Sequence, residues 1–291
     1  MASKENIPES GLEEIEPYLG AERPVPPGWQ PIVAMPMLIM VGGMGAGKST
    51  TVNALADAGC AFRLLPNRRT LTNLLIVAPL QREDNLPVQI LDRTGRLPYI
   101  RRYRERHPAG LAHAIADLYI RLDQRDTSCN HLLVFDGLRG EDEIRYAVEA
   151  LPLARYVMLD TPDIVRIERI LERHDPYDRF SSEPWSRNPS SWPDTVDSFA
   201  AIGEPGAANV FTADDERELL AMVRDGHVSV DEMRDKLRLI VTERSLYRLE
   251  DTMAALHELA PDRTHIIDTT RYSPAQIAQK ILLDLRQAGV I

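Results

Sequence analysis

The sequence predicts a three-layer α/β fold, with a parallel sheet of about five strands, helices on both faces and a helical insertion. Three observations carry this. From Met37 onward short apolar runs alternate with helical patterns; a glycine-rich stretch, "VGGMGAGKST", separates the first apolar run from the first helix; and the alternation breaks once, between residues 181 and about 261. Parallel strands need crossovers, and crossover helices cover both faces of the sheet.

Taken in order, residues 1 to about 30 are acidic and proline-rich without apolar periodicity, and read as a flexible arm or a strap lying on the surface, outside the core. Then come "MLIMV" and a helix from Lys48 to near Gly59, "HLLVFD" and "EDEIRYAVEAL", "ARYVMLD" and "PDIVRIERILER", and finally "THIID" and "PAQIAQKILLDLRQAG". Thr161 before Pro162 reads as an N-cap, and Ser273-Pro274-Ala275-Gln276 as an N-cap with a capping-box glutamine. Residues 31–180 and 262–291 thus form the core, and 181–261 an insertion whose helices start at caps Thr212 and Ser229.

Composition narrows the function. At 291 residues, 44% apolar and 27% charged, the chain is long enough for one large domain or two small ones. No apolar run approaches the roughly 18 residues of a membrane span. The acidic start reverses the order of a signal peptide, so the expected location is cytoplasmic, with no membrane partner. A formal charge of −10 argues against wrapping nucleic acid. Cys60 and Cys129 lie in no metal-ligand spacing and read as buried thiols.

Gly42, Gly43, Met44, Gly45, Ala46, Gly47, Lys48 and Ser49 fit G-x-x-x-x-G-K-[ST], the Walker A pattern. Glycine lets such a loop curl until successive backbone N–H groups converge on one anion, and the following helix adds its positive end. The expected ligand is ATP with Mg²⁺: Lys48 on the β- and γ-phosphates, the Ser49 hydroxyl on the metal, and Thr50 beside the α-phosphate. With this loop the fold class becomes the three-layer P-loop NTPase fold.

Such a site pairs its metal, through water, with an aspartate at a strand end. Asp92, Asp136 and Asp160 each end an apolar run. Asp136 follows the cleanest buried strand and precedes Gly137, where backbone can approach a ligand, so it is favoured. Arginines gather in "DRTGRLPYIRRYRERH" and again at Arg166, Arg169, Arg173 and Arg179, against an acidic background. Guanidinium forks match phosphate oxygens in pairs, although a solvated helix face explains such clusters as well.

At "VFDGLRGEDEIRYAVEAL" and "YVMLDTPDIVRIERILERHDPYDRF" the chain resembles the adenylate kinase-like nucleoside monophosphate kinases. Asp136-Gly137-Leu138-Arg139 resembles their Asp-Gly-apolar-Pro-Arg element without its proline, and Arg169 to Arg173 resembles their Arg-x-x-x-Arg at the lid. "HIIDTTRYSPAQIAQKIL" is similar to their last strand and helix. The resemblance implies that Asp136 organises Mg²⁺, that Arg139 holds the acceptor's phosphate, and that Arg169 and Arg173 contact ATP. "LLPNRRT" stands where guanylate kinase-type enzymes read their acceptor, which makes Arg68 and Arg69 acceptor candidates.

The expected activity is therefore MgATP-dependent phosphoryl transfer to a small phosphorylated or hydroxylated acceptor, catalysed by Lys48, Asp136, Arg169 and Arg173. The alternative is a nucleotide-regulated ATPase or switch whose insertion docks a protein partner. In the kinase reading residues 181–261 close over nucleotide as an enlarged lid.

Overall fold

Period-two alternation along β4 (Met37–Val41) sets the layers. The computed structural model describes residues 14–16, 18–21, 25, 27–121, 131–173 and 196–291. All five residues of β4 are buried. Ile39 and Val41 enter a core with Leu111, Ile144 and Leu256, whereas Leu38 and Met40 enter another with Val52, Leu55, Ile277 and Ile281. A strand that is apolar on both faces stays out of water only when helices cover both, hence three layers.

The sheet is parallel throughout, in the order β5 (Arg63–Leu64), β7 (Leu133–Phe135), β4, β8 (Ala154–Asp160), β9 (Thr264–Asp268). Four strands stand where the apolar runs place them. The fifth, β5, has two residues, too few for a periodic signal. On one face lie α1 (Lys48–Asp57) and α11 (Pro274–Gln287). On the other lie α5 (Leu111–Ala116), α6 (Glu141–Ala150) and α10 (Leu249–Leu259). The Ser273 capping box is formed: its hydroxyl receives the Gln276 N–H, and the Gln276 side chain receives the Ser273 N–H. By contrast, α7 (Asp163–Arg173) starts two residues after Thr161, whose hydroxyl is hydrogen-bonded to that of Thr269 at 2.7 Å.

"VQILD" forms no strand, and Asp92 caps α4 (Arg93–Arg106), accepting from the Gly95 N–H at 2.8 Å and the Thr94 hydroxyl at 3.0 Å. One expectation needs correction: the described residues before 30 do not all lie outside the core. A second, antiparallel sheet runs β1 (Glu14–Glu16), β2 (Leu19–Gly20), β6 (Tyr119–Arg121), β3 (Trp29–Pro31). In it Leu19 pairs with Ile120, and both are fully buried in the main core. One apolar residue per two- or three-residue strand is invisible to a periodicity reading.

Within the predicted insertion, caps Thr212 and Ser229 open α8 (Ala213–Arg224) and α9 (Val230–Leu246). Their Leu219, Leu220, Val223, Met233, Leu237 and Ile240 share a third core with Ile167, Ile170 and Leu171 of α7. The last helix of the range, α10, packs on α6 instead, and its Ala255 and Leu256 belong to the main core. Residues 181–195, Arg179 and Cys129 lie outside the described residues. Cys60 is half-buried beside the α1 and α11 core, and burial raises its thiol pKa. No described helix is long and apolar enough to cross a membrane.

If the small sheet is part of the main core, Leu19→Ala should cost about 2–5 kcal/mol, read as a lower urea midpoint at unchanged slope. An unchanged midpoint would detach residues 14–31 from the core.

Candidate active site

The glycine loop joins β4 to α1 at the carboxyl end of the parallel sheet, where such folds bind ligands. It lies directly on α7. A Cβ at Gly45 would sit 2.4 Å from the Arg166 carbonyl oxygen, and φ there is +76°, so backbone contact and dihedral both call for glycine. At Gly43 a Cβ would stand 2.2 Å from the Arg166 guanidinium. The loop is thus seated on one buried arginine.

Arg166 is fully buried and every arm is used. Its Nε donates to the Met44 carbonyl at 2.7 Å, Nη1 to Asp163 Oδ1, and Nη2 to Glu243 Oε2. Asp163 Oδ2 in turn accepts from Arg244 Nε at 2.7 Å. Ion pairs therefore stitch α7 to α9 directly behind the loop.

Glu243, near the end of α9, reaches the loop itself. Both carboxylate oxygens accept the Met44 N–H, at 2.9 and 3.2 Å, and Oε1 accepts from Arg139 Nη1 at 2.7 Å. Burial works to raise the Glu243 pKa, but the charges of Arg139, Arg166 and Lys48 outweigh it and hold the carboxyl at about 2. A loop amide already serves an anion.

Lys48 is buried and folds back, its Nζ donating to the Gly42 and Gly43 carbonyls at 2.8 Å each. Burial first, then the Arg139 charge, lowers its pKa to about 7, while Glu243 and Asp136 act to raise it. Asp136 is half-buried just past β7, within electrostatic reach of Lys48. Ser49 and Thr50 are exposed on the first turn of α1.

The turn after Asp136 is organised by Glu143. Its carboxylate, 2% exposed, accepts two bonds of 2.7 Å from Arg68 and one of 2.9 Å from the Arg139 N–H. Arg68 also donates to the Gly137 carbonyl at 2.7 Å, so it shapes this turn. Gly137 is close-packed on the protein itself: a Cβ there would lie 2.4 Å from the Phe135 ring. The Arg139 Nε is buried without a partner, a donor left over beside the loop.

Among the remaining candidates, Arg169 bonds Thr269, to the hydroxyl at 3.0 Å and the carbonyl at 3.2 Å, and its Nη1 would lie 3.7 Å from a Cβ on Gly47. From α7 it flanks the loop, tied to the turn after β9. Arg173 is exposed, one turn further along α7. Arg69 is half-buried in α2 (Arg68–Thr72), and burial first, then the Arg69 charge, lowers the Arg96 pKa. Asp160 is exposed and lines a recess of about 170 Å³ with Met158, Thr161, Arg244, Met253 and Asp268. The structure therefore gathers Lys48, Asp136, Arg139 and Arg169 around the loop. It adds Arg166, Glu243 and Glu143. Arg166 stood in an arginine cluster visible in sequence; Glu243 and Glu143 had no signal beyond being helical glutamates.

These residues fit a polyphosphate with Mg²⁺. The Met44 amide is already turned to an anion, the cations Lys48 and Arg139 stand beside it, and Ser49 and Asp136 offer hard oxygen ligands. No three His, Cys, Asp or Glu side chains gather as a metal cage among the described residues. Ser49, Asp136 and phosphate oxygens would form the metal's surroundings.

No known protein family and no curated protein matches the chain. Solved structures similar to it include a shikimate kinase from Acinetobacter baumannii in complex with shikimate, at 18% identity and TM-score 0.35 over 88% of this chain and 96% of that one. An unliganded sugar kinase from a Janibacter species is 14% identical, with TM-score 0.32 over 87% and 95% of the two chains. A shikimate kinase from Aquifex aeolicus is also 14% identical, with TM-score 0.29 over 87% and 98%. Likeness at this level carries no argument about activity, which must come from the site.

Two outcomes follow from the geometry. Gly43→Ala should destabilise the protein by about 1–3 kcal/mol in thermal or urea unfolding, because the Arg166 guanidinium is held by three partners and cannot yield. Between about pH 7, where Lys48 titrates in the fold, and its ordinary 10.5, the unfolded chain holds a proton that the folded chain lacks. Raising pH through that window should therefore stabilise the ligand-free protein, and Lys48→Met should flatten this part of the stability profile. An equally steep profile in Lys48→Met would assign the effect to another group.

Proposed function

We propose that this protein is an MgATP-dependent phosphotransferase acting on a small phosphorylated or hydroxylated acceptor. The observation that carries the reading is the glycine loop, set at the carboxyl end of a parallel sheet, with one of its amides already serving an anion amid Lys48 and Arg139. Backbone amides, a lysine and arginines around one point are what phosphoryl transfer requires of a protein, because the step depends on positioning and on neutralising charge. In this reading Ser49 and Asp136 hold Mg²⁺, which when bound offsets phosphate charge. Lys48 lies on the terminal phosphates, Thr50 beside the α-phosphate, and Arg169 on the nucleotide from the β9 side. Arg139, with its unpaired Nε, is the foremost acceptor ligand and Arg69 a secondary one; Arg68, an acceptor candidate on sequence, holds the turn after Asp136, and Arg173 stands with Arg169 toward the phosphates of ATP.

A second reading has its own support. Glu243 belongs to the predicted insertion yet bonds a loop amide, so the loop and the insertion are joined. That favours a nucleotide-regulated ATPase or switch whose insertion meets a partner. Incubating the protein with ATP, nucleoside monophosphates and small hydroxylated metabolites, with products read by mass, separates the two. A new phosphorylated product supports transfer, and hydrolysis indifferent to every acceptor supports the switch.

Within either reading, Lys48→Ala should lower turnover by about 10²-fold or more in a protein that still folds. Asp136→Asn should raise the Mg²⁺ needed for half-maximal activity by about 10-fold or more, and Asp160→Asn should leave it unchanged. A larger shift in Asp160→Asn would move the metal to the end of β8, on the other side of β4.

A further inference from the structure

The groups that hold Glu243 are the groups a phosphate would need. The carboxylate takes the Met44 N–H and one arm each of Arg139 and Arg166, with the Lys48 charge close by. It comes from a residue 199 positions further along the chain than Met44. The helix that carries it is tied to the same place twice more. Arg244, the next residue, pairs with Asp163, the other partner of Arg166. Met44 itself packs against the α7–α9 core. The contact is also sealed, with the Glu243 side chain only 2% exposed. Two anions cannot share these donors at hydrogen-bonding distance, because their repulsion in a buried setting is far larger than in water.

We infer that Glu243 is a resident anion that keeps α9 docked on the glycine loop, and that the phosphate end of a nucleotide expels it. Nucleotide binding and docking of α9 are therefore alternatives. The inference rests on the nucleotide-binding reading above and deepens it by naming a regulatory contact. It also reverses the sense of the lid: with Glu243 on the loop α9 is already down, and binding lifts its end. Part of the intrinsic phosphate affinity is then used in displacing the carboxylate, so weakening the docked state tightens binding.

The test uses the full chain. Hydrogen exchange is followed with and without MgATP, and separately with inorganic tripolyphosphate, while calorimetry compares the wild type with Glu243→Gln and, as a control at the far end of α9, Asp231→Asn. With ligand, amides of residues 42–50 should slow while those of residues 240–246 exchange faster. Glu243→Gln should melt lower without ligand, since Arg139 and Arg166 lose their shared anion, yet bind MgATP about 10-fold or more tightly than the wild type, as Asp231→Asn should not. Slower exchange across residues 240–246 on binding, or affinity in Glu243→Gln no higher than in the wild type, would overturn the inference while leaving the nucleotide reading intact. Absence of binding to either probe by both wild type and Glu243→Gln would overturn both. Should Glu243→Gln fail to fold, the wild-type exchange decides alone.

Discussion

The buried guanidinium of Arg166 is the contact on which the rest of the site depends. It supports the glycine loop through the Met44 carbonyl, joins α7 to α9 through Glu243, and draws Arg244 in through Asp163. Burying a charged arginine is tolerable only when every arm is paired, and here each is. The same closeness dictates the loop's composition, since Gly43 and Gly45 leave no room for a side chain against it. Two glycines that read as freedom for wrapping phosphate thus also serve to seat the loop on its neighbour.

Around this contact the molecule divides its buried surface into three cores with separate tasks. The two cores on the faces of β4 hold the sheet and set the loop at its carboxyl end. The third, between α7, α8 and α9, holds the α8 and α9 part of the predicted insertion and meets the loop through Met44. Because α7 follows the sheet strand β8 and also lies in the third core, α9 meets the Arg166 end of the loop without crossing the main core.

Charge balance at the loop is local. Lys48, Arg139 and Arg166 face Glu243, Asp163 and Asp136, so three cations meet three anions in a partly dry setting. The depressed Lys48 pKa reflects burial that this balance does not fully offset. An incoming polyphosphate would add negative charge where cations are in excess once the Glu243 carboxylate has left. The chain's overall charge of −10 says nothing of this, because surface carboxylates are screened and the loop is buried.

What the sequence determined by itself is whatever rests on neighbours along the chain. Apolar runs long enough to repeat named four of the five parallel strands; glycine spacing placed the turn between β4 and α1, with Lys48 and Ser49 opening the helix; and short-range capping chemistry placed Thr212, Ser229 and Ser273 at helix starts. Strand-end position singled out Asp136. Tertiary structure alone decided the rest, because those features join residues far apart or too few to form a pattern. Two-residue strands β2 and β5 gain their meaning only from partners, as Leu19 does from Ile120. Asp92 ended an apolar run in the sequence but caps a helix in space. Glu243 differs in no local respect from the solvated glutamates of other helices, and only folding brings it to the amide of Met44. A carboxylate's role is set by the charges that surround it, and those come from α7, from the turn after β7 and from the loop, not from its own helix.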